Sequence, residues 1–406
     1  MLARAVEKLA WEVLSEDRKM AFISGPRQVG KTTLAKSLLE RFGQGLYFNW
    51  DVQTDRRRLL AAPYFFEESN RNPKKAFLTV LDEIHKYPKW KNYLKGAFDK
   101  YHEDFRFLIT GSGRLDLFKR GGDSLLGRYF SVPVFPLTVA EVCGRYRAWN
   151  KFPSLLDEPP ATSRASREAF DQLLRFGGFP DPFLRAETKF HGRWSRERKQ
   201  LLIREDIRDA TRIQDLAMLE NLAELLPARV ASPLSLNNLR QDIELGYETL
   251  RQWIETLERF YYLFRLRPFA GKLSRSLRKE PKAYLFDPAQ IDDAGARFEN
   301  LVALHLHTAV TTWNSAGEGP VALNYLRDKE GHEADFALIE KGKVVCILEC
   351  KTSDTSLSKG LLYFQSRFKV PVAVQLLQIP GICQKRSENG FTQWIISADR
   401  WLSGLV

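Results

Sequence analysis

GPRQVGKTT, residues 25–33, follows the apolar run AFIS and precedes the helix-forming LAKSLLERF. The spacing G-x-x-x-x-G-K-[ST] is met by Gly25, Gly30, Lys31 and Thr32, and a strand before it with a helix after it is the setting a phosphate-binding loop needs. Each residue type has its own duty. Glycines let the backbone of Gly25, Pro26, Arg27, Gln28, Val29 and Gly30 wrap closely around phosphate, so that successive N–H groups and the helix N-terminus present positive charge. Lys31 then reaches the β- and γ-oxygens, and the Thr32 hydroxyl, with Thr33 beside it, faces Mg²⁺. A chance glycine-rich turn is the plainer alternative.

Downstream, FLTVLDEIH runs from Phe77 to His85 as an apolar, β-prone segment that ends on two acids. Such a run reads as a buried parallel strand, and open α/β sheets bind ligands at the carboxyl ends of their strands. Asp82 is therefore placed to hold Mg²⁺, and Glu83 to polarise an attacking water. A pair of acids that merely caps a strand would look the same in isolation. The segment FRFLITGSG, Phe105 to Gly113, offers a third core strand, with Thr110 and Ser112 at its polar end. Ser112 is the expected phosphate sensor. SLLGRYF supplies Arg128, a guanidinium suited to enter a neighbouring subunit's site, with Arg114 as its competitor.

Length and composition set outer bounds. A chain of 406 residues exceeds one ordinary core and predicts two or three domains. Lys plus Arg number 62 against 50 Asp plus Glu, a net charge of +12 that favours a polyanionic partner such as nucleic acid. Only four cysteines occur, which argues against a cysteine-based metal site and for reduced thiols in a cytoplasmic protein. Neither a signal-peptide core nor an apolar run long enough for a bilayer is present, so no membrane partner is expected.

The polar stretch KFPSLLDEPPATSRAS, 151–166, predicts an exposed loop, and the helix-periodic segments around GGFPDP predict a small helical lid. From Leu216, three helical patterns suggest a winged helix-turn-helix with Tyr247–Phe260 as recognition helix. Leu250, Ile254, Leu257 and Tyr261 then face inward, which leaves Arg251 and Gln252 for a DNA groove or, in the plainer reading, a protein partner. KLSRSLRKEPK, 272–282, has five basic residues and one acidic, and Lys272, Arg275, Arg278 and Lys279 are its candidate phosphate contacts. Tyr261 and Tyr262 read as core.

In the last part of the chain, Asp335 lies in one strand-like segment, while Glu349 and Lys351 lie two apart in another, so that alternation puts both on one face. His332 and Glu333 read as turn residues, and His305 and His307 as the end of a helix.

On GPRQVGKTT, LTVLDEIH, ITGSG, LLGR, GGFP, GHEADF and LECK together, nearly the whole chain resembles prokaryotic AAA+ ATPases fused to a winged-helix segment and a C-terminal domain of the restriction-endonuclease-like (PD-(D/E)XK) class. The resemblance implies an α/β protein that uses ATP and Mg²⁺ and assembles into an oligomer, such as a ring. It divides the chain into an AAA+ P-loop core at 1–145, a helical lid at 146–212, a winged helix-turn-helix at 213–290 and a restriction-endonuclease-like domain at 291–406. It also implies a second metal site in which Asp335 and Glu349 hold Mg²⁺ and Lys351 activates water, with Glu299 as a further ligand and Gln365 as support. Two functions follow as expectations. One is an ATPase that binds or remodels duplex or junction DNA, with nuclease activity as an option. The other is an ATP-controlled protein-interaction or transcription-regulating switch with an inactive nuclease-like module.

Overall fold

The computed structural model describes residues 4–111, 125–269 and 280–405. These form two compact units, the first from Arg4 to Phe135 and the second from Pro136 onwards. Ser112 and Arg114, and all four phosphate-contact candidates Lys272, Arg275, Arg278 and Lys279, lie outside the described residues.

The first unit is built on five parallel strands: β1 Met20–Ser24, β2 Gly45–Asn49, β3 Phe77–Asp82, β4 Phe105–Gly111 and β5 Tyr129–Pro133. Their spatial order is β2-β3-β4-β1-β5. Parallel central strands have both faces covered, which is why β1, β3 and β4 are buried along their whole length and read as unbroken apolar runs. The order has a functional consequence. β4 lies between the strand that feeds the loop and the strand that ends in Asp82, so the carboxyl ends of β1, β3 and β4 converge at one edge. An aromatic cluster that includes Phe65, Phe66, Phe105 and Phe107 fixes this frame. Full burial of one such ring contributes about 2–3 kcal/mol.

The second unit carries the helices of the middle region and a six-stranded mixed sheet. Its strands are β8 Val321–Arg327, β9 Glu333–Glu340, β10 Lys343–Lys351, β11 Val372–Leu377, β12 Cys383–Glu388 and β13 Phe391–Ser397, in the order β12-β13-β11-β10-β9-β8. Before them, β6 Leu263–Leu266 pairs antiparallel with β7 Lys282–Leu285, after helices at Leu216–Leu225, Leu236–Ile243 and Tyr247–Arg259. The GGFP turn is a structural joint. The Leu137 amide donates to the Gly178 carbonyl over 2.7 Å. A Cβ on Gly178 would stand 2.5 Å from the Leu137 carbonyl oxygen, so only glycine fits.

Several local expectations are corrected. The stretch 151–166 is not wholly an exposed loop, because Phe152–Asp157 is a short helix with Phe152, Leu155 and Leu156 buried. Their i, i+3, i+4 spacing is a helical stripe that the surrounding prolines and charges obscure. His305 and His307 do not finish a helix but sit inside the long helix Ala294–Ser315. Glu333 is not a turn residue and opens β9. Tyr261 and Tyr262 are buried as expected.

Candidate nucleotide site and C-terminal acidic cluster

The loop between β1 and the helix Lys31–Phe42 has the backbone that its glycines predict. Gly30 takes φ 97° and Gln28 φ 64°, both left-handed. At Gly25, a Cβ would lie 1.9 Å from the Val134 carbonyl oxygen, so a side chain there would collide with the chain leaving β5. Val29 is fully buried and anchors the loop, while Gln28, Thr32 and Thr33 face outward. Arg4 braces it from the N-terminal side by donating to the Val29 carbonyl over 3.1 Å and to the Phe135 carbonyl. Sequence pattern could not find Arg4, because its partners lie 25 and 131 residues away.

The Lys31 ammonium is 7% exposed and donates to the carbonyls of Gly25, at 3.0 Å, and Pro26, at 2.7 Å. A buried cation needs such acceptors, and phosphate oxygens are the stronger acceptors it could exchange them for. Across the site, the Thr32 hydroxyl donates to Oδ2 of Asp82 over 2.9 Å. Tyr47, from β2, donates to the same oxygen, and Thr110, from the end of β4, donates to Oδ1. Burial, and then the hydrogen bond to Asp82, raises the Tyr47 phenol above its ordinary value and keeps it a donor. The strand pattern places Thr110 beside Ser112. Nothing local in the sequence marks Tyr47, on an edge strand, as a partner of Asp82.

Glu83 follows with φ 54°, a conformation that is sparsely populated for a side-chain-bearing residue and turns it out of the strand. Its Oε2 lies 3.5 Å from Nε2 of His85 and 3.9 Å from Nζ of Lys86. Burial, helped by Lys86 and Lys31, lowers His85 to about 4, so the ring beside Glu83 is neutral at physiological pH. The donor set fits a magnesium nucleotide: a hydroxyl and a carboxylate 2.9 Å apart, with a buried ammonium on the loop and a second carboxylate next in sequence. Arg128 is engaged within its own unit, where Nε and one terminal nitrogen bind both oxygens of Asp99 at 2.6 and 2.9 Å.

The second unit brings together the acids predicted there and adds one cation. Asp335, on β9, and Glu349, on β10, are 9% and 8% exposed, and Glu299 projects from the helix Ala294–Ser315. Lys351 pairs with Glu349 at 3.0 Å. At the centre lies Lys282, 1% exposed, with Nζ 2.6 Å from Glu333, 3.1 Å from Glu299 and 3.3 Å from Asp335. Tyr284 donates to Glu299 over 2.7 Å, and the Cys350 amide donates to Oδ2 of Asp335 over 2.9 Å. Burial, and next the nearby Asp335 charge, raises the carboxyls of Glu299 and Glu349 above their ordinary range. Burial alone would lower Lys282, but the charges of Asp335, Glu299 and Glu333 outweigh it and raise the ammonium instead.

Two assignments change here, those of Gln365 and Arg251. Lys282, which closes the basic run 272–282 but is not among its phosphate-contact candidates, is an interior counter-ion. Gln365 is buried away from the cluster, donating to the Thr392 carbonyl at 3.1 Å and accepting from Gln393 at 2.9 Å. The glutamine that does order this edge is Gln375, which pairs in register with Glu349 and bonds Asp354, Ser356 and Ser358. Arg251 is not free for a groove, because Glu248 and Glu255 on its own helix hold it at 2.9 and 2.7 Å. Two carboxylates on that face oppose a phosphate.

Comparison with known proteins matches three segments of the chain to family models. Residues 17–143 match the family described as AAA domain, and residues 167–291 and 294–398 match two domains of unknown function, DUF8612 and DUF4143. Uncharacterized proteins of Mycobacterium bovis and Mycobacterium tuberculosis are each 23% identical over 357 residues, covering 84% of this chain and 72% of theirs. Among solved structures, the Aeropyrum pernix ORC1 protein in complex with DNA aligns with TM-score 0.32 and 14% identity, over 74% of this chain and 91% of that one. Bacteroides Pif1 bound to ssDNA aligns with TM-score 0.24 and 15% identity, over 39% of this chain and 45% of that one. With its loop, its acids and its strand order, the segment 17–143 has a P-loop α/β architecture and is similar to AAA domains.

Proposed function

We propose that the protein is a Mg²⁺-dependent ATPase that acts on DNA as an oligomer, coupling its nucleotide cycle to binding or remodelling of duplex or branched DNA. The observation that carries the ATPase reading is the convergence of Thr32, Thr110 and Tyr47 on the Asp82 carboxylate, with the Lys31 ammonium on the loop. Lys31 and the loop amides bind the phosphates, and Thr32 and Asp82 are the groups that hold the metal. Bound Mg²⁺ would supply charge neutralisation at the phosphate oxygens. Glu83 orients the attacking water and accepts its proton, while neutral His85 adds no competing charge.

The DNA reading rests on the net charge of +12 and on a basic helix face. On the helix Thr188–Leu201, Lys189, Arg193 and Arg196 are exposed at i, i+4 and i+7 and make no salt bridge among the described residues. Three cations on one helical face suit a phosphate backbone better than Arg251 does. Oligomer formation is supported by Leu126 and Phe130, 69% and 46% exposed, on either side of Arg128. In an assembly, Arg128 would exchange Asp99 for a neighbour's phosphates.

The test is Mg²⁺-dependent ATP hydrolysis by the full chain with and without single-stranded, duplex and four-way-junction DNA. Stimulation by one DNA form supports the coupling. Hydrolysis that is indifferent to every DNA form, without salt-sensitive binding, rejects it in favour of a switch that engages a protein.

A further inference from the structure

We propose that Lys282 is the built-in cation of the C-terminal acidic cluster, so that this site works without a metal ion and does not cut phosphodiester bonds by metal-activated water. The chain's resemblance to metal-dependent nucleases assigns Mg²⁺ to Asp335, Glu349 and Glu299, and the donor set does not fit that ion. An ammonium has three N–H donors, and the Lys282 group spends them on Glu333, Glu299 and Asp335 at 2.6, 3.1 and 3.3 Å. Three of the oxygens a metal could use have further partners, while the buried Oε2 of Glu349 has no hydrogen-bond partner. Oδ2 of Asp335 accepts the Cys350 amide, Oε1 of Glu299 accepts the Tyr284 hydroxyl, and Oε1 of Glu349 pairs with Lys351.

Position reinforces the assignment. Lys282 is 1% exposed and comes from β7, outside the six-stranded sheet that carries Asp335 and Glu349. Its hairpin is stitched to that sheet by the Phe269 amide on the Tyr325 carbonyl, 2.8 Å, and by the Tyr325 hydroxyl on the Glu280 carbonyl, 2.7 Å. Swinging the Lys282 side chain out would leave the buried carboxylates of Glu299 and Asp335 without their cation. A divalent ion entering beside it would meet a like charge within one ion-pair distance in a water-poor setting, where such repulsion is strong. The cluster is therefore an internal joint between the hairpin and the sheet.

Mn²⁺ titration followed by electron paramagnetic resonance tests this on the full, nucleotide-free chain, comparing wild type, Asp335→Asn, Lys282→Met and Lys282→Met/Asp335→Asn. Wild type and Asp335→Asn are expected to bind the same amount of Mn²⁺, because neither has a metal site at the cluster. Lys282→Met is expected to gain one equivalent, lost again in the double variant, and to show a Tm that rises with Mn²⁺. An Asp335-dependent Mn²⁺ ion in wild type, or Asp335-dependent nicking of plasmid DNA in Mg²⁺, overturns the proposal. So does a folded Lys282→Met that gains no ion. If Lys282→Met fails to fold with or without Mn²⁺, the comparison of wild type with Asp335→Asn decides alone.

Discussion

The Thr32 hydroxyl donates to Oδ2 of Asp82 over 2.9 Å, tying the first turn of the helix after the phosphate loop to the end of β3. These residues are 50 positions apart in sequence and meet because β1 and β3 lie on either side of β4. A hydroxyl and a carboxylate at hydrogen-bond distance are a ready pair for one hydrated divalent ion. Thr32→Val is expected to keep the fold and lose Mg²⁺-dependent nucleotide affinity by roughly tenfold or more, on the scale of about 1.5–3 kcal/mol for a hydrogen bond to a charged group. Titration with a fluorescent ATP analogue, with and without Mg²⁺, checks it.

Tyr47 fixes the same carboxylate from the other side. Tyr47→Phe removes one donor from Asp82 and leaves Thr32 and Thr110 in place. Hydrolysis is expected to slow by about fivefold, the equivalent of a net hydrogen bond near 1 kcal/mol, with stability little changed. Measurement of kcat and KM separates this positioning role from a binding role, because KM should move less than kcat.

The exposed row Lys189, Arg193 and Arg196 predicts a salt signature. Changing all three to Gln should weaken duplex binding across sequences and lower the slope of log affinity against log salt by about 2–3, close to one per phosphate contact removed. Arg251→Gln should do little, since that guanidinium is already neutralised by Glu248 and Glu255.

His305 gives the second unit an acid limit. It is buried, its Nε2 accepts the Val139 amide at 3.0 Å, and its Nδ1 faces the Leu301 carbonyl at 2.7 Å, an arrangement only the neutral Nδ1–H ring satisfies. Burial lowers it from 6.5 to about 4. The unfolded chain therefore binds this proton first as pH falls, so the contribution is present above pH 6.5 and drains away toward pH 4. The loss is about 3 kcal/mol across that window, on the scale of 1.4 kcal/mol per pH unit. Denaturant melts between pH 7 and pH 4 should show the decline, and His305→Gln should flatten it.

The legible parts of this chain are those in which chemistry and backbone coincide locally. GPRQVGKTT and LTVLDEIH carry their own strand, turn and charge pattern, and their residues stand together in the structure. Asp335, Glu349 and Lys351 were visible for the same reason, as alternation on neighbouring strands. Lys282 closes a segment whose five basic residues look solvated, and only the pairing of β6 with β7 carries it inside. Arg4, Tyr47 and Gln375 act across gaps of tens of residues, which no local pattern encodes. The two glutamates that hold Arg251 stand three residues before and four after it, the spacing of helical neighbours, so this pairing is legible in the sequence.

The most direct test of the central claim is steady-state Mg²⁺-ATP hydrolysis by wild type, Lys31→Ala and Glu83→Gln, each with and without duplex DNA. The expected result is hydrolysis by wild type that DNA alters, loss of nucleotide binding in Lys31→Ala, and tight ATP binding with a rate reduced by about 10²–10⁴ in Glu83→Gln, the usual contribution of a general base. Wild-type rates from Glu83→Gln, or no hydrolysis by wild type under any condition, would contradict it.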